Sequence, residues 1–121
     1  EVQAQNNGEE NNEDSVLLAV EHMPEYPGGM TALVDYLKKN IKYPKNDRQK
    51  KREGTIYVEF VVDKDGSIYR VRESKLYNSD GSGEMKKEAL RVISEMPNWK
   101  AGMQRGKYVK VQYVIPIKFS L

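Results

Sequence analysis

From Gly29 to Ile41 the apolar side chains Met30, Leu33, Val34, Leu37 and Ile41 recur at spacings of three and four, which places them on one face of a helix. Pro44 stops that helix. After Gly54 the period changes to two. In TIYVEFVV (55–62), Ile56, Val58, Phe60 and Val62 share one face, and the β-branched and aromatic content favours a strand. DKDG (63–66) reads as a tight hairpin turn in which Gly66 takes positive φ. The returning strand, SIYRVRESKL (67–76), has Ile68 and Val71 three apart, so alternation fails and a bulge or strong twist is expected.

The polar loop YNSDGSG (77–83) ends at Ser82, an N-cap for a second helix over about 84–96 with Glu84 in its first turn. Met85, Ala89, Val92, Ile93 and Met96 form its stripe, and Pro97 ends it. A loop, PNWKAGMQRG (97–106), leads to YVKVQYVIPIKF (108–119). There Val109, Val111, Tyr113, Ile115, Ile117 and Phe119 point one way, and Tyr108, Lys110, Gln112, Val114, Pro116 and Lys118 the other. Upstream, VLLAVE (16–21) reads as a strand or an irregular packed segment, and MPEYPGG (23–29) as a turn that aims the first helix.

This order predicts an α+β fold, a three-stranded, mainly antiparallel sheet with two helices packed on one face. The last strand returns beside the first strand of the hairpin, so the sheet order is second, first, last. Pro116 suits an edge, because it lacks the donor a central strand needs.

Composition adds an asymmetry. Residues 1–14 hold five acids, no Lys or Arg, and only Val2 and Ala4 as clearly apolar side chains. Such a segment cannot offset its ordering entropy. We therefore expect a mobile, disordered acidic tail or linker over 1–15 and one domain over 16–121. Residues 15–121 keep 20 basic against 13 acidic residues, a net charge of about +7. The longest apolar run, Val16 to Val20, is far short of the roughly 18–20 residues of a membrane span. No signal peptide is visible, so an anchor or export signal is expected upstream of Glu1 or already removed.

Candidate chemistry is sparse. With no Cys, the chain has no disulfide, thiolate ligand or thiol nucleophile, and its single histidine, His22, reads as a surface or turn residue. Asp63 and Asp65 lack the further ligands of a calcium loop. No catalytic, metal or cofactor site is expected, and the chain reads as a non-enzymatic binding domain. Lys38 to Arg52 carries eight basic residues against Asp47, read as a solvated basic face. No nucleic-acid motif accompanies it, and nucleic acid is not an expected partner. Trp99 reads as a packing anchor at the sheet end.

Three blocks, in order, carry a resemblance: MPEYPGGMTALVDYLKKNIKYP (23–44), GTIYVEFVVDKDGSIYRV (54–71) and EALRVISEMPNWKAGMQRGKYVKVQYVIPIKFSL (88–121). The succession of Tyr-Pro, Gly-strand-DG-strand, helix, Pro-x-Trp-x-x-Gly and a long terminal strand resembles the carboxy-terminal domain of TonB-family energy transducers, in the form common in Bacteroidetes-type proteins. The resemblance implies a periplasmic domain, anchored in the inner membrane by an upstream helix that meets an ExbB/ExbD-type complex. It implies capture of a short peptide, the TonB box, of an outer-membrane TonB-dependent transporter by strand addition, and transmission of proton-motive energy for nutrient uptake. The exposed edge of 107–119 is the physical feature that suits this role.

The expected contacts are Tyr43 and Pro44, which also stop the helix, together with Tyr108, Val109, Lys110, Val111, Gln112, Tyr113, Val114 and Ile115, amino-terminal to Pro116. The same edge is open to a second copy, a homodimer that would compete with peptide. KNIK (39–42) stands where better-studied members carry glutamines and a proline, so those side-chain contacts do not transfer. Loop 77–83 is longer than usual for the family. Two other roles suit the same domain: a docking or sensing module appended to a membrane sensor protease, or a free periplasmic peptide-binding domain.

Overall fold

A computed structural model describes residues 15–121; the acidic residues 1–14, and the mobility expected of them, lie outside that range. In chain order the elements are β1 (Val16–Leu17), α1 (Gly29–Asn40), α2 (Lys45–Gln49), β2 (Gly54–Val62), β3 (Ile68–Glu73), α3 (Gly83–Ser94), β4 (Gly102–Gln104) and β5 (Lys107–Phe119). β2 is central. It pairs antiparallel with β3 on one side and with β5 on the other, from Gly54↔Phe119 to Val62↔Val111 without a break.

The expected order second, first, last is thus β3-β2-β5, within an α+β fold. Among the described residues the strand count is five and not the expected three, because β1 pairs parallel with β5 and β4 pairs antiparallel with it. β4 lies in what reads as a loop. Arg105 and Gly106, both at positive φ (54° and 76°), turn Gln104 back onto Lys107 in the geometry that a two-residue hairpin favours. Arg-Gly is a weaker turn signal than Asn-Gly, and three residues show little alternation. The irregularity expected in 67–76 is present: Glu59 faces Arg72 while Val61 faces Tyr69, and Arg70 adopts φ 53°.

One face of the sheet forms the core. Ile56, Val58, Phe60 and Val62 of β2 meet Ile115, Ile117 and Phe119 of β5 under Met85, Ala89, Val92 and Ile93 of α3, with Met96 and Trp99 closing one end. The α3 stripe is the expected one, and Ser82 Oγ caps the helix by accepting from the Met85 N–H at 3.1 Å. On α1 the stripe is rotated. Leu33 is buried and Tyr36 and Leu37 pack on the core, whereas Met30 and Val34 are exposed. The Tyr36 hydroxyl fixes this rotation by donating to the Val92 carbonyl at 2.7 Å.

Two polar clamps tie the helices together. Asp47, the acid of the basic run, is buried on α2; it accepts from Ser82 Oγ at 2.7 Å and lies 3.6 Å from Arg52. It therefore holds α2 against the start of α3. Glu88 accepts from the Lys42 N–H at 2.7 Å and from Arg91, which also donates to the Asn40 carbonyl at 2.9 Å. The end of α1 is pinned to α3 by this pair.

Candidate functional site: the open flank of the last strand

In an antiparallel ladder a residue turns its N–H and C=O to the same neighbour, and successive residues alternate. On β2, Thr55 and Tyr57 turn theirs away from β5. The Thr55 N–H donates to Asp80 Oδ1 at 2.7 Å and its carbonyl accepts from the Asp80 N–H at 3.0 Å. The Tyr57 N–H donates to Ser79 Oγ at 2.9 Å and its carbonyl accepts from the Ser74 N–H at 2.7 Å. Tyr57↔Pro116 is consequently a non-hydrogen-bonded pair, and Ile56, Val58 and Phe60 are the β2 residues that bond to Ile117, Ile115 and Tyr113 of β5. Their alternates on β5, Gln112, Val114, Pro116 and Lys118, turn their main-chain groups to the opposite flank.

Val111 pairs with both Val62 and Leu17, so β1 lies on that opposite flank, but it reaches only Lys110 and Val111. Beyond it, among the described residues, no segment pairs with β5 there. Among the described residues, the groups left open are the N–H and C=O of Val114 and Lys118 and the C=O of Pro116, whose missing donor costs the sheet nothing at this position.

This arrangement separates the expected contact residues. Tyr108 and Val109 are taken up by the β4 hairpin, Lys110 lies against β1, and Val111 pairs with both β1 and β2. Tyr113 and Ile115 bond to β2. Gln112 turns its main-chain groups toward β1, and Val114 alone of the eight expected β5 residues turns its own to the flank beyond β1. The open run is shifted toward the carboxy terminus, past Pro116 to Lys118, because β1 and β4 were not legible as strands. Tyr43 packs at the carboxy-terminal end of β5, on the side toward β2. The Tyr43 ring packs edge-on to Phe119 at 5.7 Å and its hydroxyl donates to the Arg52 carbonyl. Burial, then the nearby Glu53 and Asp47 carboxylates, raise that hydroxyl's pKa. Pro44 caps the start of α2.

Other edges of the sheet are blunted. Loop 77–83 folds back so that Ser79 and Asp80 bond the half of β2 that β3 does not reach, and Tyr77 stacks on Tyr57 at 5.2 Å. β3 is six residues long and distorted at Arg70. The eight basic side chains of 38–52 are all exposed. Among the described residues no His, Cys, Asp and Glu side chains cluster in a metal-binding group, and no helix is long and apolar enough to cross a membrane.

Trp99 is 4% exposed, with its ring 5.3 Å from Phe60, 5.1 Å from Tyr113 and 5.8 Å from Tyr26. Its packing role is thereby evident. Its Nε1, however, is buried with no hydrogen-bond partner among the described residues.

Comparison with known proteins bears on this geometry. A solution structure of the Helicobacter pylori TonB carboxy-terminal domain is similar with a TM-score of 0.56, 22% identity, and coverage of 75% of this chain and 78% of that one. A second, shorter solution structure of the same domain is similar with a TM-score of 0.54, 21% identity, and coverage of 74% and 90%. Likeness at such identity establishes the fold. No curated protein matches the chain. Residues 39–121, which include α2, the whole of β2 and β3, α3 and β5, match the Gram-negative bacterial TonB protein C-terminal family, and the chain belongs to that family.

Proposed function

We propose that this domain captures an extended segment of an outer-membrane TonB-dependent transporter by adding it as a strand along Val114–Lys118. TonB carboxy-terminal domains are periplasmic and act by protein–protein interaction. In this reading the chain is the terminal part of an energy transducer whose upstream segment is anchored in the inner membrane and coupled to an ExbB/ExbD-type complex. The observation that supports the reading is the open flank itself. It offers alternating main-chain donors and acceptors beside a rigid, core-facing strand, while the other edges are covered or bent. Main-chain bonding tolerates varied side chains, which suits a transducer serving several transporters.

The test is a titration of labelled domain with a synthetic TonB-box peptide, followed by amide chemical shifts. Concentration-dependent changes at Gln112–Phe119, and at Leu17 and Leu18 beside the entry, are expected. Changes confined to the basic segment 38–52, or none at 112–119, would sink the strand-addition reading. A second copy pairing on the same flank would give shifts that depend on domain concentration and that peptide reverses.

A further inference from the structure

The flank opens between two cavities that lie on opposite faces of the sheet and share Met23 and Tyr113. On the core face, a cavity of about 370 Å³ is bounded by Met23, Glu25, Tyr26, Met30, Trp99 and Tyr113 among others. On the outer face, one of about 430 Å³ is bounded by Leu18, Met23, Tyr77, Gln112 and Val114 among others. Met30 is 64% exposed although it stands on the core-facing helix α1, and Leu18 is 63% exposed. These apolar side chains meet water at the point where β1 ends. The core-face cavity is built largely by the MPEYPGG turn and the start of α1, which the strand-addition reading leaves without a role.

Resting on that reading, we infer that the core-face cavity is a specificity pocket for one bulky apolar side chain of the added strand. A strand laid beside Val114 projects successive side chains to opposite faces. One therefore follows Tyr113 and Ile115 to the core face and enters the space between Met23, Met30 and Tyr113, while its neighbour follows Val114 to the outer face. Two methionines suit the role, because an unbranched thioether adapts to several apolar shapes. The orphaned Trp99 Nε1 is a second, independent sign. A buried indole donor without a partner is unfavourable, and because Trp99 lines this cavity, a side chain seated in it changes the surroundings of that donor. The preferred occupant is an extended peptide with Leu, Met or Ile at one position and tolerance elsewhere. An acidic residue there would meet desolvation without a cation to pair with, since the nine residues bounding the cavity include no Lys or Arg and do include the acid Glu25.

The experiment uses three eight-residue peptides of Thr and Ser that differ only in a central Leu, Ala or Asp. They are titrated into labelled protein while the amides of 112–119 and the indole N–H of Trp99, the sole tryptophan, are followed. The Leu peptide should bind at least roughly tenfold more tightly than the Ala peptide, as burial of several methylenes requires, and should alone shift the indole N–H. Met30→Asp, at an exposed position, should keep the fold and erase the Leu preference. Equal binding of all three peptides, with shifts at 112–119 and a silent indole, would overturn the pocket while leaving strand addition intact. Loss of shifts at 112–119 with every peptide would overturn strand addition, and the pocket with it.

Discussion

Placing a proline at Val114 or at Ile115 should have opposite consequences, although the two residues are neighbours on one strand. Ile115 is 5% exposed and faces Val58 in a pair that exchanges main-chain bonds. Ile115→Pro removes that donor, strands the Val58 carbonyl and replaces a core side chain. Together these cost roughly 4–6 kcal/mol, comparable to the whole stability of a small domain. Val114 is half-buried and its N–H faces the open flank, as does the position of Pro116 two residues on. Val114→Pro loses no ladder bond, and Tyr113 before it is already extended, so about 1 kcal/mol is expected. For a domain of roughly 100 residues that is a fall in Tm of about 5 °C, whereas Ile115→Pro should leave no cooperative melt. Circular dichroism melts make the comparison. Peptide titration of Val114→Pro should then show at least a roughly tenfold weaker complex, because one of two donors on the flank is gone. Equal destabilisation by both prolines would mean that Val114 bonds within the sheet. A folded Val114→Pro domain that binds peptide as well as the parent would refute strand addition at this flank.

Other consequences are as definite. Gly66 sits at φ 87°, and a Cβ there would lie 2.0 Å from the Trp99 carbonyl oxygen, so Gly66→Ala should cost at least about 2–4 kcal/mol in denaturant melts, with Trp99 fluorescence reporting a moved indole. Asp47→Ala removes the acceptor of Ser82 Oγ at a buried site and should cost about 1–3 kcal/mol, with amide-exchange protection falling first in α2 and the opening turn of α3. The hydrogen bond from Arg91, followed by the Lys42 N–H, holds the Glu88 carboxyl below its usual range despite its partial burial. A depressed folded pKa stabilises above the unfolded value of about 4.3 and is lost as pH falls through the folded one. The Tm deficit of Glu88→Gln at pH 7 should accordingly shrink below about pH 4, and a deficit independent of pH would show that the carboxylate's charge is not involved.

The chain's own pattern determined the elements whose periodicity is long and whose ends carry local chemistry. The alternation of 55–62 and 108–119, the DG turn at Gly66, the Ser82 cap and the α3 stripe are each short-range devices, so they are legible without the fold. The order β3-β2-β5 follows from them through connection rules, and the family resemblance rests on the same blocks. Tertiary structure alone decided where the edge is open. A two-residue strand, Val16–Leu17, and a three-residue one, Gly102–Gln104, are too short to show a period, yet their pairing closes the first half of β5. That moves the open run from 108–115 to Val114–Lys118. The rotation of α1 is equally non-local, since the Tyr36–Val92 hydrogen bond spans two elements distant in sequence and leaves Met30 and Val34 outside. Asp47 reads as a lone acid among solvated bases, and its burial depends on Ser82, which the fold brings to it across 35 positions. Period and capping belong to neighbours along the chain; exposure of an edge belongs to whatever else the chain brings beside it.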